Sequence, residues 1–174
     1  MTKLPKIALG TWAWGNDGTF GAAYTEDQLR PVFDSAMQHG LTLWDTAYAY
    51  GIGTAEKTLG AFLKGRARDS FLLSDKLTPQ CMDESSASPV ADMWTMQQKL
   101  LGTDSIDIYW VHNATEAPQW IERLAGFFEA TGLLGLASAL RHSSRKRNTR
   151  PSSAYRTTTW DRSKRPIPSS NIMD

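Results

Sequence analysis

Cysteine is almost absent: Cys81 stands alone in 174 residues, which excludes an intrachain disulfide framework and suits a reducing compartment. Histidine is nearly as scarce. His39, His112 and His142 are scattered, and three such residues with one thiol make no ligand cluster, so no metal is expected. Long apolar runs are missing too. No stretch approaches the roughly 18 residues of a membrane span, and the opening MTKLPKIALGTWAWG carries no signal-peptide core. A cytoplasmic location with no membrane partner is therefore the expectation. With 41% apolar residues and a net charge of +1, the composition fits a single soluble domain and leaves the reaction type open.

Charge of one sign is lacking overall but not locally. Residues 1–140 hold 10 Lys/Arg against 16 Asp/Glu, and residues 141–174 hold 9 against 2. The basic tail contains no Leu, Val or Phe and no helical or strand period. It cannot offset the ordering entropy of a packed segment and is expected to be disordered. Electrostatic binding of the tail to nucleic acid is a weak alternative. Charge-rich tails are ordinarily just solvated, so no nucleic-acid partner is expected.

What is there is an alternation of strand and helix signals. IALGTWAWG reads as a first short strand, and TEDQLRPVFDSAMQHG as a helix, with Thr25 and Gln28 forming a capping box and Gly40 the stop. Pro31 inside it removes a backbone donor, predicting a kink or a later start. LTLWD, SFLLSDKL and IDIYWVH follow as apolar strands of the kind buried on both faces. They are separated by helical patterns at TAEKTLGAFLKG and about 88–101, with another near Pro118–Ala130 and a fifth strand beginning at LLGLAS, 133–138.

Three of these strands close on titratable residues: Asp45, with Tyr50 five positions on, then Lys76, then His112. The separations of 31 and 36 residues are each long enough for a strand, a crossover helix and the next parallel strand. Parallel strands share one carboxyl-end face, where a (β/α) barrel carries its chemistry. On the residues alone, duller alternatives stand beside this one. Tyr48 competes with Tyr50, Asp45 and Lys76 could be an ordinary rim ion pair, a lone histidine is more often structural, and tryptophans are more often core.

The motifs LGTWAWG (9–15), DTAYAYG (45–51), TAEKTLG (54–60), the lysine of SDK and LGTDSIDIYWVH (101–112), in that order, make the chain resemble the aldo-keto reductases over about residues 6–137. The resemblance implies a partial (β/α)8 TIM barrel of the first four to five β/α units. That gives a truncated barrel domain at 1–137 and a basic tail at 138–174. It also implies reduction of a small-molecule carbonyl by hydride from NADP or NAD, with Tyr50 protonating the oxygen. A free phenol, with a pKa near 10, is a weak acid at neutral pH, and a close ammonium favours the phenolate. That part would fall to Lys76, balanced by Asp45. His112 would orient the substrate oxygen, Trp12 would line the substrate pocket, and Thr11 and Asp45 would face the cofactor.

After Gly135 the chain departs from the family pattern. The Ser-Asn pair expected at the end of the fifth strand is reduced to Ser138, and the later elements that grip the dinucleotide phosphates have no counterpart, so most of the cofactor site is missing. The abrupt change in composition suggests a reading-frame shift near Leu136–Arg141. A half barrel leaves open strand edges, so self-association is expected, and catalysis should be absent or impaired. The alternative is a non-catalytic nucleotide-binding or partner-binding protein of the same fold.

Overall fold

The computed structural model describes residues 4–112, 117–131 and 158–159. Four parallel strands alternate with helices in the order β1 (Leu9–Gly10), α1 (Glu26–Gln38), β2 (Leu43–Asp45), α2 (Thr54–Leu63), β3 (Leu72–Leu77), α3 (Pro89–Leu101), β4 (Ile108–Val111) and α4 (Ala117–Ala130). The strands lie side by side in chain order, each parallel to the next. This is the start of a (β/α) barrel wall, α/β in class as the sequence predicts.

Each crossover helix buries residues at helical spacing. They are Leu29, Phe33 and Ala36 on α1; Ala55, Leu59, Phe62 and Leu63 on α2; Val90, Met93, Trp94 and Leu101 on α3; and Trp120, Leu124 and Phe128 on α4. They meet Trp44, Leu73, Leu77 and Tyr109 from the helix-facing side of the sheet. A fully buried large apolar side chain stabilises by roughly 1.5–3 kcal/mol, so this layer fixes the strand register. On the opposite, barrel-interior side, Leu43, Leu72 and Ile108 form a second, smaller cluster with Trp110 against it.

Two local expectations change on contact with the structure. Strand β1 covers only Leu9–Gly10, after which Trp12–Gly15 turn into a 3-10 helix, so most of LGTWAWG is a helical turn rather than strand. The α1 capping box forms as predicted, but Pro31 neither delays the helix nor ends it. It lies one turn in, where the carbonyl deprived of a partner is that of Asp27 on an exposed first turn, and burial of Leu29 and Phe33 outweighs the loss. The fifth strand expected at 133–138 lies outside the described residues. From the tail, where no strand is expected, Thr158–Thr159 (β5) instead pair antiparallel with Ile108–Tyr109 on the edge of β4. An open edge accepts any backbone, which is why side-chain patterning does not foretell it.

Candidate active site

Side chains alternate along a strand, so Asp45 on β2, Ser74 and Lys76 on β3 and Trp110 on β4 all fall on the barrel-interior face. The register pairs Asp45 with Ser74 and Lys76 with Trp110. His112 follows β4 directly and donates its backbone N–H to the Leu77 carbonyl at 2.7 Å. Tyr50 arrives from the loop after β2. That loop is held against the Trp12–Gly15 turn by two glycines: a Cβ on Gly15 would stand 2.6 Å from the Tyr50 carbonyl carbon, and one on Gly51, at φ +65°, would collide with the Gly15 backbone. Only glycine permits this approach.

The Lys76 ammonium is the hub. It donates to Asp45 Oδ2 at 2.7 Å, to the Thr46 carbonyl at 2.7 Å and to the Tyr50 phenol oxygen at 3.1 Å. An ammonium has three donors, and these three acceptors use them all. The phenol accepts from Lys76, which leaves its own O–H free to donate elsewhere. Asp45 Oδ1 accepts from Ser74 Oγ at 2.7 Å, and Ser74 Oγ accepts from Trp110 Nε1 at 2.9 Å. The carboxylate is therefore fixed from both sides.

The His112 ring stands edge-on to Tyr50, with centroids 5.8 Å apart and planes at 89°, and its Nδ1 lies 3.2 Å from Thr78 Oγ1. Burial, and then the Lys76 ammonium, push the imidazolium below its usual range against a smaller opposing pull from Asp45. A neutral ring at neutral pH follows. On the other side the Trp12 indole stacks nearly parallel over Tyr50, 5.5 Å away at 11°. Trp12 is largely exposed, so packing alone does not orient it. Its Nε1 donates to Asp17 Oδ2 at 3.0 Å and the edge of Phe20 meets it at 5.3 Å.

Asp45, Tyr50, Lys76, His112 and Trp12 thus converge at one end of the sheet. Thr11, expected beside the cofactor, follows β1 directly. It is fully buried and its hydroxyl is given to the Asp45 carbonyl at 3.2 Å, so it ties β1 to β2. Tyr48, the competing phenol, packs on the helix side beside Gly53 and Leu100. Sequence reasoning missed Ser74, Trp110 and Thr78. Ser74 and Trp110 were reachable, because each lies two residues before a strand-end site residue, Lys76 or His112, on the strand's period of two. Thr78 sits in a turn after β3, where no period applies.

The set offers a phenol, an ammonium and an imidazole, groups able to move protons, but none that could supply hydride. A reduced nicotinamide, the group the family resemblance implies, would be met at this end by Asp45 and Tyr50. The family elements that grip the rest of a dinucleotide would come after Gly135, where the sequence reading finds no counterpart and which lies outside the described residues.

Comparisons with known proteins bear on the family and the fold. The model of the aldo/keto reductase family matches residues 6–145. The D-threo-aldose 1-dehydrogenase of a Pseudomonas species is 31% identical, over 63% of this chain and 40% of its own length. Aldo-keto reductase YhdN of Bacillus subtilis (strain 168) is 34% identical, over 63% of this chain and 34% of its own. Among solved structures, an aldo-keto reductase from Klebsiella pneumoniae in complex with NADPH superposes with a TM-score of 0.58 at 27% identity, covering 73% of this chain and 41% of that one. The chain thus spans about two fifths or less of the length of these curated relatives. With a family model matched over most of its length and the strand-end residues gathered in one cleft, the chain belongs to the aldo/keto reductase family.

Proposed function

We propose that the cleft is the proton-transfer half of a carbonyl-reducing centre, taking a small aldehyde or ketone to an alcohol with NADPH or NADH. The observation that carries this reading is the three-way donation of Lys76 to Asp45, Thr46 and Tyr50. When bound, the reduced nicotinamide supplies hydride to the carbonyl carbon. Tyr50 donates its O–H to the carbonyl oxygen, and the adjacent ammonium stabilises the phenolate left behind. Asp45 holds Lys76 charged and in place. With the Thr78 hydroxyl donating to Nδ1, neutral His112 presents Nε2–H to the substrate oxygen, stabilising negative charge as it develops. Trp12 forms the wall over Tyr50.

Turnover in this chain is impaired, on this reading, because the described cleft holds the acid and its partners without a grip on the dinucleotide. Open strand edges favour self-association as well. Two measurements test this together. NADPH and NADH are titrated against tryptophan fluorescence, and aldehyde-dependent oxidation of the bound nucleotide is followed in this chain, in Tyr50→Phe, and in a version extended with the family's later β/α units. Reduction that needs Tyr50 and is stronger in the extended version supports the proposal. Nucleotide binding with no reduction in either version overturns it in favour of a binding protein.

A further inference from the structure

Behind the cleft, on the helix side of β3, lies a second polar cluster that the proton-transfer set does not use. Glu56 on α2 and Asp75 on β3 are both completely buried. Asp75 Oδ1 accepts the Lys76 backbone N–H at 2.7 Å. Gln97 on α3 donates through Nε2 to the Lys76 carbonyl at 3.1 Å and to Glu56 Oε1 at 2.9 Å, and the Tyr109 hydroxyl donates to Gln97 Oε1. Both backbone polar groups of Lys76 are thereby clamped. The other carboxyl oxygens, Asp75 Oδ2 and Glu56 Oε2, meet no donor group among the described residues, yet the two side chains lie within hydrogen-bonding reach of each other.

Two carboxylate oxygens repel and cannot bond to one another unless one carries a proton. We propose that Glu56 and Asp75 share a single proton at neutral pH and that this pair, bridged by Gln97 to the strand, positions Lys76 from behind. The alternative is two bare charges in a dry helix–sheet interface, which is far costlier than one. Among the described residues, the charged or titratable groups facing the pair are Lys76 on β3, Tyr109 on β4 and Cys81 just after β3. The Lys76 ammonium is committed to Asp45 on the opposite face of the strand.

The electrostatics agree in direction. Burial first, then Glu56, pushes Asp75 well above the usual carboxylate range. Burial likewise raises Glu56, and burial followed by the two carboxyls raises Tyr109. The proton belongs to the pair as a unit, since both carboxyls are raised by the same burial.

The positioning of a catalytic lysine rests on the reductase reading, but the shared proton does not, and the test reads the proton rather than turnover. Above about pH 4.5 an unfolded chain ionises both carboxyls, whereas the folded chain keeps one proton. Stability from the pair is therefore fully present at acid pH and declines as pH rises, with the folding constant falling tenfold per pH unit until the folded pair itself deprotonates. Asp75→Asn keeps an acceptor for the Lys76 N–H and replaces the proton with an amide N–H toward Glu56. Glu56→Gln makes the mirror exchange.

Urea unfolding of the full chain and both variants from pH 5 to 8 gives the profile, and infrared spectra at pH 7 report protonated carboxyl directly. The expected result is a one-proton slope in the parent relative to either variant, and a buried protonated-carboxyl band that each variant loses. Should Asp75→Asn fail to fold, Glu56→Gln and the parent's infrared band still decide. Parallel pH profiles, or a parent spectrum without that band, would overturn the shared proton.

Discussion

Each end of β3 meets an ion pair with a carboxylate, Asp107 just before β4 or Asp45 at the end of β2, and what each pair leaves over differs. At the amino end Arg68 donates to Asp107 Oδ2 at 2.6 Å, to Ser105 Oγ and its carbonyl, and to the Phe71 carbonyl. The same Asp107 oxygen accepts the Leu73 backbone N–H at 2.8 Å. Every one of these partners belongs to the framework. At the carboxyl end Lys76 also meets a carboxylate and a carbonyl, but its third hydrogen goes to a phenol whose O–H faces a cleft with an imidazole and an indole on either side. An ion pair alone therefore says little about catalysis. The distinguishing mark is a titratable group held by the pair and still able to donate.

The sharpest way to break this contrast is to remove that group. Tyr50→Phe should leave melting unchanged while lowering carbonyl reduction about 10²–10⁴-fold, the range for loss of a general acid, as read from single-turnover nucleotide oxidation. An unaltered rate would remove the distinction between the two ends. Asp107→Ala should do the reverse. It strands a guanidinium whose side chain is only 29% exposed and should cost roughly 3 kcal/mol in urea unfolding, the low end for breaking a buried pair. The rate per folded molecule should be unchanged.

His112 offers a finer test through pH. Its folded value lies below the ordinary 6.5, so the unfolded chain takes up a proton first, and the group's contribution to stability is lost as pH falls from about 6.5 toward the folded value. Thermal melts of His112→Gln should therefore gain on the parent between pH 7 and 5, and a constant difference across that window would contradict the depressed value. The smallest effect belongs to Asp17→Ala, which frees the Trp12 indole without touching Lys76 or Tyr50. A modest rise in KM with kcat unchanged is expected, with altered Trp fluorescence.

Much of this was legible because the relevant signals are local or periodic. Thr25 and Gln28 announce the start of α1, and Asp45, Lys76 and His112 each fall at or within a residue of a strand's carboxyl end. What escaped depends on the neighbours. Pro31 looked disruptive until its orphaned carbonyl proved to lie on an exposed turn. Asp75, beside the lysine in sequence, points to the opposite face of the strand, so its partnership with Glu56 crosses from sheet to helix.

The sequence by itself determined the order of strands and helices and which side chains each strand ends on, since a period of two or of 3.6 residues and a few capping residues encode them within a short window. Only the tertiary structure decided how the Tyr50 phenol, which the resemblance already favours over Tyr48, reaches the Lys76 ammonium, and that two acids close over the back of that lysine. Both depend on contacts between segments far apart in the chain, the Gly15–Gly51 approach and the packing of α2 on β3, where burial and charge act across space rather than along the backbone.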